Sequence, residues 1–308
     1  MNPIVSVRDL ARRLGTPIER LRAVSDEIAT RPGSHYLFWS ETDPKTGKVR
    51  QLKAPRPELK EIQRRIARNI LRKVPLSDSA HGGVRGRSPL SNASMHLGQA
   101  LVVTMDVKSF YPSVRHYVVF RLFRHELGFG RDVASLLTRL TTVDAQLPQG
   151  APTSTAIANI LLTSAVDSPV SRCAWEVGAK NTRFVDDFSF SGRGSTTLIE
   201  ETARALSQRR LSIWRRPKSG PSRKLRIMPR SVPQKVTGLN VNSRSGPSVP
   251  QGYRDGVRAA IHQLQELPED RGRGSAEDSI RGRLLYIERT NPGAACRLRR
   301  YLERQTKD

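Results

Sequence analysis

The sequence is poor in cysteine, in acids and in long apolar runs, and each shortage excludes something. Its two cysteines, Cys173 and Cys296, stand far apart, with no CxxC pair and no histidines at ligand spacing. That argues against a disulfide scaffold and a structural zinc, and makes a reducing cytoplasm the expected home. No apolar run approaches the length that spans a bilayer. Met1-Asn2-Pro3-Ile4 lacks the basic-then-apolar pattern of a secretory leader, so none is expected. No internal repeat and no low-complexity tail is visible.

The shortage of acids says most. Asp and Glu number 28 against 53 Lys and Arg, a formal net charge of +25. From Thr202 to Arg254 there is no acid at all, while Arg209, Arg210, Arg215, Arg216, Lys218 and Arg223 follow one another. So lopsided an excess repels itself unless a polyanion relieves it, and arginine grips phosphate with a planar fork. Nucleic acid, held largely through its backbone, is the expected partner. No basic amphipathic helix stands out to favour a membrane surface. At 308 residues and 37% hydrophobic content, the chain can bury a sizeable core and hold two or three compact units in one body.

Apolar residues at helical spacing predict a helix pair over 7–29, broken at Gly15-Thr16-Pro17. Tyr36-Leu37-Phe38-Trp39 and Lys48-Val49-Arg50-Gln51-Leu52 read as a hairpin around Asp43-Pro44-Lys45-Thr46-Gly47. Lys48 and Arg50 near its tip suit a phosphate, or an ordinary surface. Leu59, Ile62, Ile66 and Ile70 mark an amphipathic helix with a basic outer face. His81 to Ser91 is a Gly- and Arg-rich loop in which Arg85 and Arg87 could meet a nucleic-acid backbone.

Leu101-Val102-Val103-Thr104-Met105-Asp106-Val107 reads as an apolar strand ending on a carboxylate, a costly place for an unpaired charge. Phe110-Tyr111-Pro112 stops it, and a helix is expected from about Arg115 to Leu127. After Leu147-Pro148-Gln149-Gly150-Ala151-Pro152, Thr153 or Ser154 can cap a helix over 155–167. Phe184-Val185-Asp186-Asp187-Phe188-Ser189-Phe190 places two carboxylates at the tip of a strand-turn-strand. Adjacent like charges favour a divalent cation, although an Asp-Asp pair alone is also a common surface turn. A helix near 196–208 and a strand over 235–241 close this unit. Two or three basic helices follow the linker-like stretch Ser243-Arg244-Ser245-Gly246-Pro247. The pattern is α+β: an antiparallel sheet backed by helices.

Met105-Asp106-Val107-Lys108-Ser109-Phe110-Tyr111-Pro112-Ser113, Leu147-Pro148-Gln149-Gly150-Ala151-Pro152, Phe184-Val185-Asp186-Asp187 and Lys218 are similar in order and spacing to the palm motifs of reverse transcriptases. Asn92-Ala93-Ser94-Met95-His96 resembles the NAxxH motif, and Val236-Thr237-Gly238 the VTG motif, of the bacterial retron members. The resemblance runs from about Tyr36 to the C-terminus. It implies a right-handed polymerase: N-terminal helices and fingers over 1–100, palm over 101–242 with a fingers portion at about 113–147, and a helical thumb over 243–308. It implies RNA-directed DNA synthesis that copies part of a cognate structured non-coding RNA (msr/msd) into msDNA, starting from a guanosine 2′-hydroxyl. A role in phage defence, with an effector or toxin protein from the same locus, is implied as well.

Nucleotide addition calls for two divalent ions, Mg²⁺ with Mn²⁺ as substitute, and three carboxylates on two strands can bridge them. By resemblance Asp106 and Asp186 hold both, Asp187 supports the primer-side ion, and Val107 adds a backbone carbonyl. Tyr111 falls where these polymerases hold a ring against the ribose 2′ position; a core aromatic is the other reading. Gln149 and Gly150 would line the nucleotide pocket, with Arg50 and Lys48 on its phosphates. Lys218 would protonate the leaving pyrophosphate or contact RNA. Asn92, Val236, Thr237 and Gly238, with Arg85 and Arg87, would serve RNA binding, and His96 would be a structural or an RNA-contacting residue of its motif, or simply a satisfied loop histidine. So would the thumb, where Arg297, Arg299 and Arg300 recur beside Ile261, Leu264, Leu284, Leu285, Ile287 and Leu298.

Three positions depart from the family pattern. Phe184 and Val185 stand where retron enzymes carry Tyr-Ala, and Thr155 stands where proline is common. Other readings are a different defence or intron-derived reverse transcriptase, or an RNA-binding scaffold with a vestigial site. A nuclease could use the carboxylates but has no need of the Leu-Pro-Gln-Gly loop.

Overall fold

Ser6 accepts a hydrogen bond from the Asp9 amide and so starts helix α1 (Val7–Leu14), which ends at Gly15. Helix α2 (Ile18–Thr30) follows, and Leu10, Leu14, Leu21 and Val24 are buried, as their spacing predicts. The structure, a computed structural model, describes residues 2–43, 47, 49–214, 224–264 and 273–305. Strands β1 (Tyr36–Thr42) and β2 (Val49–Pro55) pair antiparallel, from Tyr36↔Pro55 to Thr42↔Val49. Helix α3 (Pro57–Asn69) opens on a proline and turns Leu59, Ile62 and Ile66 inward. Helix α4 (Pro89–Ser94) is closed by reciprocal hydrogen bonds between Ser88 and Ser91.

The central sheet begins with β3 (Leu101–Asp106), stopped by the short helix α5 (Phe110–Ser113). Helix α6 (His116–Arg121) continues through a wider turn to Glu126. Helix α7 (Arg131–Thr141) goes beyond the sequence reading, although Val133, Leu136, Leu137 and Leu140 follow helical spacing and are buried. Helix α8 (Ser154–Leu162) runs through a similar wide turn into α9 (Ser168–Glu176), also unforeseen. The expected cap of α8 is absent. Ser154 Oγ instead donates to the Pro148 carbonyl at 2.6 Å, and Thr153 Oγ1 is buried without a partner among the described residues.

Strands β4 (Lys180–Phe184) and β5 (Asp187–Ser191), helix α10 (Thr197–Ser207) and strand β6 (Arg226–Pro229) complete a four-stranded antiparallel sheet in the order β4-β5-β3-β6. The edge beside β3 is thus β6, and the strand expected over 235–241 is corrected. It is a small hairpin, β7 (Lys235–Val236) and β8 (Leu239–Asn240). Thr237 at φ +47° and Gly238 at φ +82° reverse the chain between them.

Three helices complete the described residues: α11 (Gln251–Gln263), α12 (Arg273–Glu288) and α13 (Pro292–Gln305). The main core gathers side chains from Ile4 to Ile213. A second cluster joins Val236, Leu239, Val249, Ile261, Leu284 and Ile287. Leu285 departs from the expected apolar face and is exposed, because Leu284 and Ile287 occupy the inward positions of α12. The architecture is α+β with antiparallel sheets. Among the described residues no helix is long and apolar enough to cross a membrane.

Candidate active site

Strand register builds the site. Asp106, the last residue of β3, lies opposite Asp187, the first of β5, and Asp186 occupies the turn beside them. Val185 precedes it at φ +60°, a conformation costing a β-branched residue about 1–2 kcal/mol. Two donors hold that turn: Arg183 Nη1 reaches the Val185 carbonyl at 2.8 Å, and the Val107 amide reaches the Asp186 carbonyl at 3.2 Å.

The three carboxylates hold more negative charge than they can easily keep. Burial, then the charges of Asp106 and Asp187, push the Asp186 carboxyl up to about 7. Burial and Asp106 push Asp187 up to about 6, against the pull of Lys224 and Arg226. Lys224 Nζ sits 2.7 Å from Asp106 Oδ2. An ammonium therefore already occupies the place where a cation is favoured. Carboxylate oxygens are the donors a hard divalent ion prefers, so the donor set fits such an ion. Among the described residues, however, no three His, Cys, Asp or Glu side chains converge into a ready-made cage.

Other predicted residues gather around this centre. Tyr111 is half-buried, its hydroxyl 3.1 Å from Thr155 Oγ1, and burial with the nearby Asp186 charge raises its pKa. The Gln149 carbonyl accepts from the Lys53 amide at 2.9 Å, and Lys53 Nζ pairs with Asp144 at 2.8 Å. These bonds seat β2 on the Gln149-Gly150 loop. Arg50 lies exposed on β2, opposite Glu41. Lys48 and Lys218 lie outside the described residues.

The residues expected at RNA divide sharply. His96 is buried, with its ring nitrogens 2.7 Å from Ser191 Oγ and Thr182 Oγ1, and burial pushes its pKa down to about 3. Asn92 and Val236 are fully buried too. Buried in this way, Asn92 and Val236 offer no surface for a direct RNA contact, and His96 takes the structural one of its two expected roles, tying its loop to β4 and β5. Thr237 Oγ1 donates to the Pro89 carbonyl at 2.9 Å. With Gly238 it lines a cleft of about 290 Å³ that also takes in Asp106, Asp187 and Lys224. Arg85 is exposed, whereas the Arg87 guanidinium donates to the carbonyls of Ser77, Asp78 and Ala80 and so shapes its own loop. Arg297 and Arg300 line an open cleft of about 600 Å³ with Arg254, Arg258 and Arg304. Arg299 instead pairs with Glu288, at 2.8 Å through Nη1.

Sequence reasoning missed Lys224 and Arg183. Lys224 was one basic residue among many in an acid-free run. Arg183 is one polar residue in the mostly polar strand Lys180–Phe184, and only its place three residues before Asp186 could have drawn notice.

Known proteins resemble this chain over most of its length. The family described as reverse transcriptase (RNA-dependent DNA polymerase) matches residues 41–213. The chain is 34% identical to the Retron Mx65 reverse transcriptase of Myxococcus xanthus, covering 95% of this chain and 70% of that protein. It is 32% identical to the Retron Mx162 reverse transcriptase of the same organism, covering 93% of this chain and 64% of that one. Against the Retron Ec86 reverse transcriptase of Escherichia coli the figures are 29%, 98% and 90%.

Proposed function

The chain belongs to the reverse transcriptase family, among its retron members, and is an RNA-directed DNA polymerase; on that premise we propose that it copies part of a cognate structured non-coding RNA into single-stranded DNA. Synthesis starts from a guanosine 2′-hydroxyl of that RNA, and the product is msDNA. The enzyme works in the cytoplasm within an antiphage system, with an effector protein from its own locus. The observation that carries the polymerase chemistry is the register pair Asp106↔Asp187 with Asp186 at the adjoining turn.

In this reading Asp106, Asp186, Asp187 and the Val107 carbonyl hold two divalent cations, Mg²⁺ by preference. When bound, the cations lower the pKa of the attacking hydroxyl and offset the charge that develops on the transferred phosphoryl group. Lys224, whose Nζ lies 2.7 Å from Asp106 Oδ2, would have to give up that contact for Asp106 to serve as a donor. Gln149 and Gly150 line the nucleotide pocket, Arg50 and Lys48 take the triphosphate, and Lys218 hands a proton to the pyrophosphate. We assign residues 1–100 to N-terminal helices and fingers, 101–242 to the palm and 243–308 to the thumb. The packing of α11, α12 and α13 on one another through Val257, Ile261, Leu284 and Ile287 supports the last of these, in a cluster that also reaches Val236 and Leu239. Arg297 and Arg300, free of the carboxylate that engages Arg299, are the thumb's RNA-facing pair.

The test uses the protein with the RNA that copurifies with it and labelled dNTPs. Label is expected in a branched species that a 2′–5′ debranching enzyme separates into RNA and DNA. Label confined to the 3′ end of a linear primer, unchanged by debranching, would rule out retron-type priming.

Tyr111 gives a second test. With its ring against the ribose 2′ position, Tyr111→Ala is expected to raise the ratio of ribonucleotide to deoxyribonucleotide incorporation by about tenfold, the scale of one lost steric contact. If both activities fall together with the melting temperature, the ring is only a core aromatic.

A further inference from the structure

We infer that Arg183, held by Asp167 and Asn159, is a positioning residue for the metal-binding carboxylates: it keeps the Val185 turn in its left-handed conformation and thereby aims Asp186 and Asp187. The inference rests on the metal-site reading above and concerns residues to which that reading gives no role.

Arg183 lies on β4, and its side chain is completely buried, as is that of Asp167, at 0% and 1% exposure. Each contact is directional. Nε donates to Asp167 Oδ1 at 3.0 Å and Nη2 to Asp167 Oδ2 at 2.7 Å, a two-pronged pair. Nη1 donates to Asn159 Oδ1 at 2.7 Å and to the Val185 carbonyl at 2.8 Å. The fork is therefore clamped on two sides before it touches the turn. Asn159 comes from α8 and Asp167 from the wide turn that follows it, so the clamp is anchored in the helices behind the sheet.

The same side chains fix the loop that backs the turn. Asn159 Nδ2 donates to the Gly82 carbonyl at 2.8 Å. The Arg183 amide donates to the Ser79 carbonyl, and the Arg183 carbonyl accepts from the His81 amide, each at 2.7 Å. A Cβ on Gly82 would lie 2.5 Å from the Val185 nitrogen, so only glycine lets the loop press this closely on the turn. Loop and guanidinium thus hold Val185 from two directions.

A buried ion pair is weak evidence for stability, since apolar residues of like volume often serve as well. Apolar packing cannot, however, donate to a carbonyl that faces the interior at a strained turn. Val185 at φ +60° has a branched side chain that disfavours the conformation, and Asp186 is the next residue. Were Val185 to relax, the Asp186 carbonyl would leave the Val107 amide, and both carboxylates would swing away from Asp106.

The test combines Arg183→Lys and Asn159→Ala with Val185→Gly in the full chain. Direct Mn²⁺ titration by electron paramagnetic resonance is the readout, beside melting temperature and RNA affinity. Each single clamp variant is expected to weaken Mn²⁺ binding by about tenfold or more, the usual scale for residues that orient metal ligands. RNA affinity is expected to hold. Adding Val185→Gly is expected to restore much of the Mn²⁺ affinity, because glycine adopts the turn without help. Unchanged Mn²⁺ binding in both clamp variants would overturn the inference, as would a loss that Val185→Gly does not relieve. If Arg183→Lys does not fold, Asn159→Ala with and without Val185→Gly decides the matter alone. Asp186→Asn/Asp187→Asn separates the two ideas: wild-type Mn²⁺ binding by that variant would sink the metal-site reading itself, whatever the clamp does.

Discussion

Changing Asp186 and Asp187 together to asparagine is expected to lower dNTP incorporation by about a thousandfold or more, since these groups hold the charge that phosphoryl transfer needs. RNA binding is expected to persist. Stability should move the opposite way. Both carboxyls have folded pKa values above their ordinary value of 3.8, so the folded state binds more protons than the unfolded state between about pH 4 and 7. Stability in the metal-free wild type therefore falls as pH rises through that window. Each pKa unit corresponds to about 1.4 kcal/mol, but Asp187 is exposed and solvent screens its share, so removing both charges should relieve on the order of 1–3 kcal/mol at neutral pH, most of it from Asp186. The inactive variant is thus expected to melt higher than wild type at pH 8 without metal. The gap should close toward pH 4 and shrink or reverse at saturating Mg²⁺, which only the wild type binds. Incorporation at the wild-type rate would end the assignment, and a lower melting point at pH 8 would mean that the carboxylates are not in conflict.

Proton competition gives the second large effect. Burial and the neighbouring carboxylates Asp106 and Asp187 hold the Asp186 carboxyl up at about 7, and burial with Asp106 holds Asp187 at about 6. A divalent cation must displace one proton below pH 7 and two below pH 6. Apparent Mn²⁺ affinity should then fall about tenfold per pH unit in the first range and up to about a hundredfold in the second. Between pH 8 and pH 5 the loss is expected to reach roughly a thousandfold. Mn²⁺ titrations at fixed ionic strength across that range measure it directly, and Asp187→Asn should remove the steeper limb. A flat profile above pH 5 would show that the carboxylates ionise independently and do not share a cation.

Local pattern alone determined much of this protein. Leu101 to Asp106 announces a buried strand by its apolar run, and Phe184 to Phe190 announces a hairpin by alternation around two acids. Leu10, Leu21, Ile62 and Ile66 show their helices by spacing, and the acid-free stretch after Thr202 raises the expectation of a polyanion partner by charge. These signals are local because side-chain period follows from backbone geometry within a few residues.

Tertiary structure decided which charges meet. Nothing in the apolar run of β3 says that Asp106 will face Asp187, since register between distant strands is set by the packing of whole faces. His96 reads equally as a structural or an RNA-contacting residue until Thr182 and Ser191 close on both ring nitrogens. Arg299 matches Arg297 and Arg300 in sequence, yet only Arg299 meets Glu288, because α12 and α13 pack at that point. Lys224 on Asp106 and Arg183 on Asp167 are the strongest cases. A charged residue carries the same hydrophilic signal whether it is solvated or buried. Only the fold supplies the partner that makes burial affordable, and at this site the partner lies on a distant segment of the chain.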